Sequence, residues 1–77
     1  MKDLTEPQIV DSVLDAITAR RKELGLSIVK LADRSRIHYS TISLLEHKKR
    51  NPSFLVILKL CKALDLSLLD LLKKEEK

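Results

Sequence analysis

The sequence predicts an all-α fold of five short helices, and three observations lead to it. Only one Gly and two Pro occur in 77 residues, and no alternating Val/Thr/Tyr run of the kind a half-buried strand needs is present. Apolar residues instead recur at spacings of three and four along most of the chain. Residues 27–53 then hold two short helical patterns separated by three residues, with basic residues gathered at the far end.

The elements follow in order. Thr5-Glu6-Pro7-Gln8 reads as a capping box, with Thr5 as N-cap and Gln8 three residues on. Pro7 suits a first turn, where its missing N–H loses no partner. Ile9, Val13, Ile17 and Leu24 mark the inner face of helix 1, which runs to about Leu24. Arg20, Arg21 and Lys22 complement its negative C-terminal end, and Gly25 stops it in a left-handed conformation. Ser27 caps helix 2, whose Leu31 and small Ala32 turn inward. Ser35-Arg36-Ile37 forms a turn, and helix 3 runs from about Tyr39 to Glu46 with Ile42 and Leu45 inward. After a loop over 48–52, Ser53 caps helix 4, with Phe54, Ile57, Leu58, Cys61 and Leu64 as its expected inner face. Ser67 caps helix 5, which contains Leu68, Leu71 and Leu72, and residues 73–77 form a charged tail.

Size and composition bound the possibilities. A chain of 77 residues suffices for one domain, 1–77, with a modest core. Hydrophobic content of 44% beside 34% charged residues fits a folded domain. Cys61 is the sole cysteine, so no internal disulfide forms, and its helical spacing from Ile57, Leu58 and Leu64 marks a buried thiol. No leader and no apolar run approaching the ~20 residues of a membrane span is seen, so no membrane partner and a cytoplasmic location are expected.

Charge is distributed unevenly. Residues 1–19 carry one Lys against four acids, net −3; residues 20–50 carry nine Lys/Arg against three acids, net +6; residues 51–77 come to +1. The excess therefore falls on helices 2 and 3 and their flanks. Two readings fit: a footprint for phosphates, or exposed helices made soluble by Lys and Arg. Together with the two closely spaced helices the first is preferred. Two helices locked on a shared apolar seam leave the second with a polar outer face that fits a DNA major groove.

These residues carry a likeness. From about Ile17 to Leu72 the chain resembles the phage repressor/Cro-type (XRE-like) helix-turn-helix family. The matching positions, in register without a gap, include Arg21, Gly25-Leu26-Ser27, Leu31-Ala32, Ile37, Ser40-Thr41-Ile42-Ser43, Glu46, Arg50-Asn51-Pro52-Ser53 and Ala63-Leu64. The resemblance implies a lambda-repressor-like five-helix domain that regulates transcription as a homodimer on a palindromic operator of double-stranded DNA. It implies a structural salt bridge between Arg21 and Glu46. By family position Tyr39, Ser40, Ser43 and Leu44 face base edges, with packing as the alternative for Tyr39. Phosphate contacts are expected from Ser27 and His38 at the helix starts and from Lys48, Lys49, Arg50 and Asn51 in the loop. A DNA-bound pool would associate with the nucleoid.

Departures from the family pattern carry their own expectations. Ile28 stands where most members have a Gln that reaches a phosphate, and an apolar side chain there cannot do so. Arg36 and Lys48 stand where glycine is usual; either both are left-handed, at ~1 kcal/mol or more each, or both turns are reshaped. Ser discriminates poorly between bases and Leu44 offers only an apolar contact such as a thymine methyl, so base readout is modest beside shape and backbone contacts. Leu55, Val56 and Leu69 occupy positions commonly polar in the family, and Phe54 to Leu58 is an unbroken apolar run. That surplus predicts a homodimer interface through helices 4 and 5, the alternative being a wider core closed by helix 1.

Catalysis is not expected. His38 and His47 lie nine residues apart without metal-ligand spacing around them, and no Gly-rich phosphate loop occurs, so neither a metal nor a cofactor is expected. The rival to a DNA reader is a protein-interaction module that keeps the fold with weak or absent DNA binding. Its partner would be a toxin or another regulator, and Leu44, Ile28 and the missing glycines favour it. Phage-type repressor, autoregulating antitoxin and restriction–modification controller are all compatible with these residues.

Overall fold

The computed structural model describes residues 5–74, which form α1 (Glu6–Glu23), α2 (Ile28–Ser35), α3 (Tyr39–Glu46), α4 (Phe54–Ala63) and α5 (Leu68–Lys74). No strand occurs among the described residues. Of the expected charged tail, residues 75–77 lie outside them. No described helix is long and apolar enough to cross a membrane.

Each helix starts on a hydroxyl or ring acceptor that catches a free backbone N–H. Thr5 and Gln8 form the reciprocal capping box of α1, and Ser27, Ser53 and Ser67 accept from Lys30, Val56 and Asp70 N–H. Helix ends share a second device. At the ends of α1, α3 and α4 a residue in the left-handed region bonds back to the carbonyl three residues before it. The next N–H reaches the carbonyl five residues back, closing a Schellman motif. Gly25, Lys48 and Asp65 hold the left-handed positions, with φ of 70°, 59° and 54°. Leu24-Gly25-Leu26-Ser27 and Leu64-Asp65-Leu66-Ser67 are therefore the same corner used twice, each ending one helix and capping the next. The turn between α2 and α3 is different: Arg36, at φ 60°, donates to the Ala32 carbonyl, while the buried Ser35 hydroxyl accepts from Ile37 N–H.

The core gathers Val13, Leu14 and Ile17 of α1, Leu31 of α2, Ile42 and Leu45 of α3, Leu60, Cys61 and Leu64, and Leu71 of α5. α2 packs on α3 and α4, while α1 packs on α3 and α5. Burial pushes the Cys61 thiol above its ordinary pKa. No buried side-chain nitrogen or oxygen among the described residues lacks a partner.

Two expected faces are corrected. Leu24 is exposed, because it is the C-cap of α1 rather than part of its inner stripe, and Leu14 takes the buried place. On α4, Phe54 and Leu58 are not core: they are 68% and 40% exposed, and Leu60 is buried instead. The inner stripe is Val56, Ile57, Leu60, Cys61 and Leu64, rotated by about one residue from the expected one. The expected face follows the apolar run Phe54 to Leu58 alone, whereas Lys59 and Lys62 farther along mark the solvent side, and Leu58, four residues before Lys62, shares it.

Candidate nucleic-acid interface

α3 is fixed from beneath by Ile42 and Leu45, which are almost fully buried, and by Ile37 in the turn before it. Helical geometry then turns Tyr39, Ser40 and Leu44 outward; Tyr39 and Leu44 are 54% and 39% exposed. Ser43 is half-buried, and its carbonyl accepts from His47 Nδ1 at 2.7 Å. Tyr39 is thus an exposed ring rather than a packing residue, tilted 30° against His38 with ring centroids 5.2 Å apart.

His38 is the N-cap of α3. Its Nδ1 accepts from Ser40 N–H at 3.2 Å and lies 2.8 Å from Ser40 Oγ. An accepting Nδ1 places the ring proton on Nε2, leaving an outward donor at the helix start. Ser27 does the same work for α2, where its Oγ accepts from Lys30 N–H at 3.0 Å. Ile28 beside it is half-buried against the core, so its side chain serves packing.

The loop after α3 is basic, but its lysines differ. Lys48 turns back and bonds the Asp15 carboxylate of α1. That bond, and behind it the charges of Asp15 and Asp11, raise the Lys48 pKa above its ordinary value. The expected phosphate ligand is therefore already paired within the chain. Lys49, Arg50 and Asn51 are exposed, and Asn51 shares a shallow hollow with Glu6, Pro7, Val10 and Asp11 at the start of α1.

Arg21 anchors the interface to the body of the domain. Its Nε and Nη2 donate to the two carboxylate oxygens of Glu46 at 2.7 and 2.9 Å, and its Nη1 donates to the Leu26 carbonyl at 2.7 Å. One side chain thus joins α1, the corner before α2 and the end of α3. Its neighbour Arg20 donates from Nε to the Leu64 carbonyl at 3.1 Å, tying α1 to the end of α4. Sequence reasoning missed the Arg20 and Asp15 contacts, since neither follows from helical spacing. The left-handed Asp65 was open to discovery, because its tetrapeptide copies that around Gly25.

On the expected association face, Leu55 and Leu69 are 60% and 65% exposed. Val56 departs from expectation: it is half-buried against the core, because α4 is rotated. Phe54 and Leu58 take its place beside Leu55 on the outside.

A family model described as helix-turn-helix matches residues 17–71. Among solved structures, the chain is similar to a tyrosine-to-alanine mutant of the restriction-modification controller protein C.Esp1396I, with a TM-score of 0.77 and 24% identity over 86% of each chain. It is also similar to the clp gene regulator ClgR from Corynebacterium glutamicum, with a TM-score of 0.77 and 27% identity over 91% of this chain and 74% of that one. No curated protein sequence matches.

Proposed function

This chain belongs to the Cro/C1-type helix-turn-helix family and is a DNA-binding transcriptional regulator, and on that premise we propose that it works as a homodimeric repressor and autoregulator on a palindromic operator. α3 enters the major groove, with Tyr39, Ser40, Ser43 and Leu44 towards base edges. Ser27 and His38, at the helix starts, and Lys49, Arg50 and Asn51, in the loop, meet phosphates. The observation that carries this reading is the exposed side of α3, held rigid by Ile42, Leu45 and the Arg21–Glu46 pair.

One eight-residue helix spans too few base pairs for a unique site, so two copies are needed. The exposed Phe54, Leu55, Leu58 and Leu69 supply apolar surface for a two-fold contact. Footprinting on selected genomic fragments tests the proposal: two symmetric half-sites centred about one helical turn, ~34 Å, apart are expected. Protection of a single half-site in an asymmetric sequence would refute the dimeric reading. The protein-interaction alternative rests on the exposed Leu44 and the same apolar face. It predicts a folded domain that shifts no duplex DNA at low salt and instead binds a toxin or another regulator.

A further inference from the structure

Carboxylates of α1 border the basic loop. Glu6 and Asp11 share a hollow with Asn51, and Asp15 bonds the Lys48 amine. Both members of that bond reach solvent, with side-chain exposures of 33% for Lys48 and 70% for Asp15. An exposed pair in water adds little to folding. Nor does Lys48 suit its backbone position, where φ is 59° and a glycine would be free of strain. The pair nevertheless decides where the one lysine directly following the C-cap of α3 can put its charge. A phosphate that binds this ammonium has to share it with the Asp15 carboxylate or displace it, and it meets the negative charges of Asp15 and Asp11 as it does so.

We propose that Asp15 is a positioning residue for DNA binding, which competes with backbone phosphate for Lys48 and so holds down sequence-independent affinity. The inference rests on the DNA-binding reading above and deepens it. Affinity for phosphates comes from released counterions, so each lysine freed for the backbone strengthens binding to every sequence alike and steepens its salt dependence. A carboxylate placed on one such lysine removes that contribution without removing the residue.

The test uses the full chain in four forms: native, Asp15→Asn, Lys48→Ala, and both together, with Asp15→Ser as a second neutral replacement. Binding to a fluorescent random-sequence duplex is measured over a salt series, and melting temperatures are recorded without DNA. Asp15→Asn and Asp15→Ser are expected to bind about two- to five-fold tighter than native, with a salt slope steeper by up to about 0.9. The gain is expected to vanish on the Lys48→Ala background. Native-like binding by both Asp15 variants overturns the inference and leaves the DNA-binding reading standing. A gain that persists undiminished without Lys48 also overturns it, since general charge would then suffice. If no form binds any duplex, the DNA-binding reading falls and the inference falls with it.

Discussion

The guanidinium of Arg21 holds the carboxylate of Glu46 with two parallel bonds of 2.7 and 2.9 Å, joining α1 to the last residue of α3. Both side chains are close to nine-tenths buried. In that setting the pair fixes α3 against α1, and each partner's burial is tolerable only while the other is present.

Removing one partner should therefore be severe. Glu46→Ala or Arg21→Ala is expected to cost roughly 3–5 kcal/mol, because a buried charge is left alone. Replacing both should cost less than the sum of the two single changes. Chemical denaturation of the three variants checks this, and simple additivity would show that the two groups do not act together.

Arg36 makes a prediction of opposite sign. Its φ of 60° strains any residue with a Cβ, while Arg36→Gly removes that strain and adds freedom to the unfolded chain. The net expectation is stabilisation by about 1 kcal/mol or less, raising Tm by up to a few degrees. A lowered Tm would mean that the Arg36 side chain makes a stabilising contact that outweighs the strain.

Lys49 and Arg50 should act on phosphates. Their joint replacement by Ala is expected to weaken binding to all duplexes alike and to flatten the salt dependence by roughly 0.9 for each phosphate left without its cation. Weakening confined to the operator, with an unchanged salt slope, would assign them to base readout.

Leu44 should influence base choice instead. It is 39% exposed on the outer side of α3, so Leu44→Gln is expected to keep the native Tm. Selected binding sites should shift away from a thymine-bearing position, with discrimination of ~1 kcal/mol or a little more. Identical site preferences for the two forms would remove Leu44 from the reading surface.

The apolar face of α4 yields a test of assembly. Leu55→Glu and Leu58→Glu change exposed residues and should leave the monomer fold intact while lowering the sedimenting mass from dimer to monomer. Native mass retained in both variants would place the dimer contact elsewhere.

Much of this molecule was legible without coordinates. Caps are local chemistry: Thr5, Ser27, Ser53 and Ser67 each catch an N–H three residues ahead, and Gly25 ends α1 where only a left-handed residue closes the corner. The buried seam of Leu31, Ile42 and Leu45 was equally readable, because Lys30, Asp33 and Arg34 mark the polar side of α2, and Ser40, Ser43 and Glu46 that of α3. On α4 the run from Phe54 to Leu58 is unbroken, and only Lys59 and Lys62 farther on mark a solvent side, which takes in Leu55 and Leu58, four residues before them. Phe54, in the first turn, is left outside by the packing on α2 that draws in Val56 and Leu60. Long-range polar pairing was likewise beyond the sequence. A lysine in a loop has many carboxylates to choose from, and Lys48 meets Asp15, 33 residues away, because α1 passes beneath the end of α3. Short-range hydrogen bonding and unambiguous periodicity are written in the chain itself, whereas the side taken by Phe54 in the first turn of α4 and the partners of exposed charges depend on which surfaces tertiary packing brings together.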